Sequence, residues 1–357
     1  MDIYRFKCLT HEEIMHEYLH NFSFDYEIPH EEMVNLFENE IIFISGAGGT
    51  IGKHIVDKII LSRINFKQLI LHDFNENSLY IIKSTYDNYY KNIIYCLGNL
   101  CDSSDLINIF MTYRPTIVLH IAAYKSVVMG ANSPISFINN NVSSTINIIN
   151  AFNNIEESKI FMATSTDKAT NKILDYSQSK SQVEQIIMAN RVSNKRYSII
   201  RFCNILDTNG SFAIEDFKRK LINNENIYMH YILPNEINNN DNNNDIHEQL
   251  PDGALIPERY FVTKNTGVSL ALHVAYLATN DVPIYSIDKN KIKTIPMIDI
   301  LNNMAKIYHD DYEGWKNNHL KYIQALKGVK YIEHLPTIAT GIPLNDNSNL
   351  IEINYNK

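Results

Sequence analysis

The sequence predicts an α/β chain, a doubly wound parallel sheet followed by a smaller C-terminal domain, and three observations carry that expectation. Short apolar runs alternate with stretches of helical spacing between residues 41 and 202. The first run leads straight into a glycine-rich turn, Gly46-Ala47-Gly48-Gly49-Thr50-Ile51-Gly52. After Leu206 the alternation stops. Strands separated by helices of this length pair in parallel and are covered on both faces. Right-handed crossovers then give a Rossmann-type sheet.

Taken in order, residues 1–39 read as a polar, helical N-terminal extension ending in an acidic stretch. Residues 41–44 (IIFI) form a buried strand, 51–61 an amphipathic helix, 68–72 a second strand and 93–95 a third, weaker one. Helical spacing returns at 105–113, and 116–121 (TIVLHI) is again an apolar run. Residues 143–152 read as helix, 159–163 as strand, 178–190 as helix and 197–202 as strand, while 283–287 form a last strand that returns to the sheet. Segment 234–250 holds the run NEINNNDNNND, which cannot build a packed core and reads as a surface loop. The rest of the C-terminal region reads as helices. The expected division is 1–39 as extension, 40–206 with about 261–288 as the Rossmann domain, and 207–260 with 289–357 as the smaller domain.

Composition narrows the function classes. Hydrophobic residues make up 45% and charged residues 20% of the 357, ordinary globular usage with ample core. A net charge of −8 argues against nucleic acid as a partner, since neutralising phosphates needs a basic surface. It does not argue against a nucleotide-sized ligand. Four irregularly spaced cysteines (Cys8, Cys96, Cys101, Cys203) complete no zinc pattern and read as reduced thiols, with no metal expected. No stretch approaches the ~20 apolar residues that span a bilayer, and no apolar leader opens the sequence. The expectation is a cytoplasmic protein without a membrane span.

The glycine turn has the context of a dinucleotide site. A strand precedes it, a helix follows, and Asp73 ends the second strand 27 residues after Gly46. The pattern reads G-x-G-x-x-x-G through Gly46, Gly48 and Gly52, or G-x-x-G-x-x-G through Gly46, Gly49 and Gly52. Such glycines permit a tight turn and close backbone approach to a pyrophosphate, and the helix N-terminus at Thr50 and Ile51 adds amides and partial positive charge. A carboxylate at Asp73 accepts ribose hydroxyls and repels a 2′-phosphate, which favours NAD, with NADP as the alternative. A glycine turn without a ligand is the competing reading.

A second cluster sits at the carboxyl end of the 159–163 strand, where open α/β sheets bind ligands. Ser165-Thr166-Asp167-Lys168 follows that strand, and Tyr176 and Lys180 follow as Y-x-x-x-K. Positions i and i+4 of a helix share a face, so the spacing puts the Lys180 ammonium near the Tyr176 phenol. A cation there stabilises phenolate and makes the tyrosine a usable base. The competing reading of Asp167 and Lys168 is a solvated surface pair.

These residues together resemble the extended short-chain dehydrogenases/reductases, specifically the CapD-like polysaccharide-biosynthesis branch of UDP-N-acetylglucosamine 4,6-dehydratases. The resemblance is carried by GAGGTIG (46–52), HDFNENSLY (72–80), YRPTIVLHIAAYK (113–125), NNV (140–142), STDKAT (165–170), YSQSK (176–180), RFCN (201–204) and ERYFVT (258–263). Residues 28–49 resemble the segment that leads into the soluble domain of long, membrane-bound members. The resemblance implies that Tyr176, with Lys180, takes the C4 hydroxyl proton while hydride passes to the nicotinamide. Lys168 then removes the C5 proton, Asp167 protonates the departing C6 hydroxyl, and Thr166 orients the C4 oxygen. Hydride returns to C6, so a tightly bound NAD is recycled. It implies further cofactor contacts at Asn99, Leu100, Ala122, Ala123, Tyr124 and Asn141. Substrate contacts are implied at Lys125, Thr166, Asn204 and Arg259, Arg259 toward the UDP moiety, in a smaller substrate-binding domain. Plain surface or structural roles compete for Lys125 and Arg259. A homo-oligomer is implied as well.

The chain departs from the family pattern in places. Long members usually carry Met at the position of Tyr176, the family's His after the Lys125 position is Ser126, and Cys203 replaces a Gly. An RPGEK-like motif near the C-terminus is missing, with TGIPLNDN (340–347) in its place. Three functions are weighed: a 4,6-dehydratase, with or without C5 epimerisation; a nucleotide-sugar 4-epimerase, which needs Tyr176 and Lys180 but not the Asp167–Lys168 pair; and a non-catalytic dinucleotide-binding regulator.

Overall fold

The structure, a computed structural model, describes residue 18 and residues 21–171, 173–206, 212–233, 246–326, 329–336, 341–343 and 349–353. It divides into two compact units, a larger one (26–202, 264–288, 335–357) and a smaller one (1–25, 203–263, 289–334).

The larger unit opens with helix α1 (His30–Phe37), whose Met33, Leu36 and Phe37 are buried. Strand β1 (Ile41–Ser45) is β-branched, aromatic and buried throughout, as a central parallel strand must be. Helix α2 (Thr50–Leu61) buries Gly52, Ile55, Val56, Ile59 and Ile60, the spacing of one helical face. Then follow β2 (Gln68–Asp73), α3 (Glu76–Tyr86), β3 (Ile93–Leu97), α4 (Ser103–Tyr113) and β4 (Ile117–His120). Asn75 and Asp102 cap α3 and α4 by accepting from the amides of Ser78 and of Ser104 and Asp105. Beyond β4 lie two short helices, α5 (Val127–Asn132) and α6 (Pro134–Ile138), a π-turn (Asn139–Ser143) and α7 (Ser144–Asn154). β5 (Ile160–Thr166) runs into a 3-10 turn (Asp167–Thr170), followed by α8 (Asp175–Ala189) and β6 (Arg196–Phe202).

In the sheet, β3, β2, β1, β4, β5, β6 and β12 (Ile284–Ile287) are parallel in that order, which contains the 3-2-1-4-5-6 order of a Rossmann sheet. Phe43, Phe110, Phe152, Phe161 and Tyr197 form its aromatic core. The segment joining the smaller unit back to β12 carries α10 (Lys264–Tyr276), a helix buried on nearly all sides.

In the smaller unit, β7 (Asn204–Ile205) pairs with β11 (Phe261–Val262), and β10 (Glu258–Arg259) with β13 (Ile295–Pro296). β8 (Ile227–Tyr231), β9 (Ile246–His247) and β14 (Leu320–Gln324) form a third sheet. With α9 (Phe212–Asn223), α11 (Met297–Tyr308) and α12 (Tyr312–His319) they enclose a core that includes Leu221, Met229, Leu301, Met304 and Trp315.

The C-terminal region therefore differs from the expected run of helices. β14 is a strand, and β15 (Gly341–Pro343) and β16 (Leu350–Ile353) leave the smaller unit to extend the large sheet, β16 antiparallel to β12. The physical reason is that the apolar edge of β12 needs a partner, and Leu350 and Ile351 are buried there. The N-terminal segment differs too, since 26–37 belongs to the larger unit rather than to a separate extension. Most of the Asn-rich stretch 234–250, much of 340–347 and Cys8 lie outside the described residues. Among the described residues, no helix is long and apolar enough to cross a membrane.

Candidate active site

The glycine turn forms where β1 meets α2. Gly46 has φ +69°, and a Cβ there would lie 2.8 Å from the backbone of Ala122. A Cβ on Gly52 would lie 2.1 Å from the Gly46 carbonyl oxygen, so turn and helix can touch only without side chains. Gly49 caps α2, putting Thr50 and Ile51 in its first turn. Asp73 Oδ2 accepts the Gly48 amide at 2.8 Å and Oδ1 the Asn75 amide at 2.9 Å. The carboxylate expected from the sequence thus stands against the turn. Asn99 follows β3, its Oδ1 accepting the Cys101 amide at 2.9 Å, and Leu100 is buried behind it.

The β4 edge continues through Ala122 and Ala123 to Tyr124, and Asn141 holds that segment. Asn141 is buried in the π-turn, a wide turn often found at functional sites. Its Oδ1 accepts the Tyr124 amide at 2.8 Å, and its Nδ2 donates to the Tyr124 carbonyl at 3.1 Å and to Ser179 Oγ at 3.0 Å. Lys125 is exposed, and what desolvation its ammonium suffers lowers its pKa.

Thr166, Asp167, Lys168, Tyr176 and Lys180 lie at one edge of the larger unit. Asp167 is buried. Its Oδ1 accepts from Thr166 Oγ1 and from Lys168 Nζ, both at 3.0 Å, and its Oδ2 has no hydrogen-bond partner among the described residues. A buried carboxylate oxygen left this way is costly unless something else meets it. Burial pushes the Tyr176 phenol up, while the Lys168 ammonium and then the Thr166 hydroxyl pull it back down. The Lys180 ammonium donates to the Thr164 carbonyl at 2.9 Å. The cation with the largest pull on the phenol is therefore Lys168, a placement that i,i+4 spacing could not show. Burial lowers Lys180 to about 8, and Glu184, one turn further along α8, opposes that fall.

Supporting residues emerge that the motifs did not single out. Glu184 is fully buried and takes Arg201 through two bonds of 2.7 and 2.6 Å, while Ser165 Oγ donates to Glu184 Oε1 at 2.6 Å. The network ties the β5 edge and β6 to the helix that carries Tyr176 and Lys180. A charge at i+4 from Lys180 on a helix face that must be buried was its only sequence signal. Asn204 and Arg259 belong to the smaller unit. Asn204 donates to the Tyr260 carbonyl at 3.0 Å. Arg259 Nη1 donates to the carbonyls of Glu258, Lys330 and Tyr331, with Glu333 4.0 Å from its Nη2.

Strand order, turn and Tyr-x-x-x-Lys helix together are the architecture of the extended short-chain dehydrogenases/reductases. A family model described as polysaccharide biosynthesis protein matches residues 42–230, more than half of the sequence, and the chain belongs to that family. Among curated proteins it is 29% identical over 194 residues to the probable polysaccharide biosynthesis protein EpsC of Bacillus subtilis, covering 53% of this chain and 32% of that protein. It is 31% identical over 188 residues to the capsular polysaccharide biosynthesis protein CapD of Staphylococcus aureus, covering 51% and 31%. The chain thus spans about a third of the length of each. Among solved structures, Pen from Bacillus thuringiensis superposes with a TM-score of 0.71 at 20% identity, over 89% of this chain and 90% of that one.

Proposed function

We propose that this chain is a nucleotide-sugar 4,6-dehydratase that converts UDP-N-acetylglucosamine to a 4-keto-6-deoxy sugar nucleotide for glycan synthesis. The observation that carries the reading is the Asp167–Lys168 pair beside Tyr176, the carboxylate buried, the lysine half-buried, and one carboxylate oxygen without a hydrogen-bond partner among the described residues. A 4-epimerase has no use for such a pair, and a non-catalytic regulator has no use for any of the three.

NAD fits the first edge described. The Gly46–Gly52 turn is a cradle that added Cβ atoms would fill, and the Asp73 carboxylate beside Gly48 suits ribose hydroxyls. The turn, Asp73, Asn99, Leu100, the 122–124 segment, Asn141, Tyr176 and Lys180 would hold it. When bound there, NAD supplies reversible hydride acceptance. Gly52→Ala is expected to abolish NAD binding measured by calorimetry while circular dichroism stays that of the wild type, because the new Cβ forces the turn open. Wild-type affinity in this variant would place the dinucleotide elsewhere.

The residues then divide the proton work. Tyr176 takes the C4 hydroxyl proton, with Thr166 orienting the oxygen. The resulting ketone acidifies C5–H, which Lys168 removes, and Asp167 protonates the C6 hydroxyl so that it leaves as water. Elimination needs Lys168 neutral and Asp167 protonated. That state differs from the observed ion pair by one proton moved across the 3.0 Å contact, with no change in net charge.

The test is purified protein with UDP-N-acetylglucosamine and no added cofactor, followed by mass spectrometry of the nucleotide sugar. Loss of one water, abolished in Lys168→Ala, is the expected result and means that the cofactor stays bound and is recycled. No mass change even with NAD and NADP supplied would remove this substrate assignment.

A further inference from the structure

We infer that His120 is a positioning residue, joining the dinucleotide turn to the catalytic helix through buried and part-buried hydrogen bonds that run in one direction to Asn141. The inference rests on the dinucleotide site proposed above and not on the sugar chemistry.

The direction of every link follows from the last. Thr145 Oγ1 lies 2.7 Å from the Asn141 carbonyl, which can only accept, so Thr145 gives its one proton there. The Thr145 oxygen must then receive from His120 Nε2, 3.1 Å away. That puts the ring proton on Nε2. His120 is buried at 3% exposure, and burial, with Lys180 and His72 adding to it, lowers its pKa to about 3. The neutral ring therefore has a bare Nδ1, which accepts from Ser45 Oγ at 2.8 Å. Ser45 Oγ in turn receives the amides of Ile121 at 3.1 Å and Ala122 at 3.3 Å.

Both ends of the chain reach functional groups. Ser45 directly precedes Gly46, the residue packed on the backbone of Ala122. At the other end, Asn141 grips both backbone groups of Tyr124 and donates to Ser179 Oγ, which itself donates to the Tyr176 carbonyl at 2.8 Å. One imidazole thus sets the spacing between β1, the β4 extension and the turn that steadies α8. Its two nitrogens do opposite jobs, one accepting and one donating, so an apolar residue of similar size cannot replace it. A carboxamide can, since it has one acceptor and donors on the same group.

The experiment is calorimetric titration of NAD into the wild type and into His120→Leu, His120→Gln and Thr145→Val, each first stripped of bound cofactor, with melting temperature and circular dichroism recorded for each. His120→Leu and Thr145→Val are expected to weaken NAD binding about tenfold, the scale of losing a group that orients direct contacts. His120→Gln is expected to recover most of the loss. Should His120→Leu fail to fold, the near-isosteric Thr145→Val carries the same reading. Wild-type affinity in Leu and Val variants overturns the inference while leaving the dinucleotide site standing. A Gln variant as weak as Leu at equal melting temperature overturns it too, because that pattern belongs to packing alone. Failure of the wild type to bind NAD removes the underlying site and the inference with it.

Discussion

Asp167→Asn is expected to slow water loss from the sugar nucleotide by about 10³-fold, within the range for a lost general acid, while NAD affinity stays at the wild-type value. Affinity is spared because the hydrogen-bond partners of the Asp167 side chain are Thr166 and Lys168, neither part of the glycine turn. Turnover falls because an amide has no proton to give to the C6 oxygen. Asn keeps an oxygen toward Lys168, so the base survives. The informative control is exchange at C5: in deuterated water Asp167→Asn should still incorporate deuterium into the sugar, whereas Lys168→Ala should not. Mass spectrometry reads both. Rapid water loss in Asp167→Asn would show that the acid is another group, and equal exchange in both variants would take the C5 base away from Lys168.

Arg201→Met should destabilise the fold by about 3–5 kcal/mol, since it strips a buried carboxylate of its bidentate partner. Glu184 and Arg201 have side-chain exposures of 0% and 7%, so solvent cannot stand in. Removing both charges together, as Glu184→Leu with Arg201→Met, should restore most of that stability in urea unfolding, because the orphaned charge goes too. Catalysis should still register the double change through Lys180. Its pKa, about 8 against an ordinary 10.5, means that the ammonium is present below about pH 8 and lost above it. If the ammonium is needed, the rate falls as pH rises through that value. Glu184 raises the lysine, so its removal should shift the alkaline limb of kcat/KM to lower pH. For stability the sign is opposite: the unfolded lysine holds its proton up to about 10.5, so the burial penalty fades as pH rises from 8 to 10.5. A single variant as stable as the wild type, or an unmoved alkaline limb in the double variant, would refute the respective half.

The parts of this molecule that were legible in its sequence are those fixed over short distances. The glycine turn sits within one strand–turn–helix unit, and Asp73 is one crossover away. Strand identities between 41 and 202 followed from apolar runs whose lengths left little choice. Their parallel pairing followed from chirality and alternation rather than from any residue. Contacts between distant segments were another matter. The spacing of Tyr176 and Lys180 puts them on one helix face, but it could not reveal that Lys180 turns to the Thr164 carbonyl and leaves Lys168 as the strongest cation acting on the phenol. The histidine in TIVLHI was visible as a polar residue in an apolar run, yet its partners come from β1 and α7. β16 was missed because its pairing with β12 spans more than 60 residues and a change of unit, and periodicity carries no information at that range.

The interleaving of the two units has a consequence for the order in which the chain can be built. Strands β1 to β6 are contiguous in sequence and leave the ribosome before β12, segments nearer the N-terminus being free to fold earlier. The next neighbour of β6 is β12, which follows only after 203–263 has been synthesised, and the outer partner of β12 waits for 289–334 as well. The larger unit thus waits for 264–288 both on the face that α10 covers, against α1, α2, β5 and β6, and along one flank of its sheet. Until β12 arrives, that flank is the bare edge of β6, where a nascent neighbour or a chaperone would meet the unfinished protein.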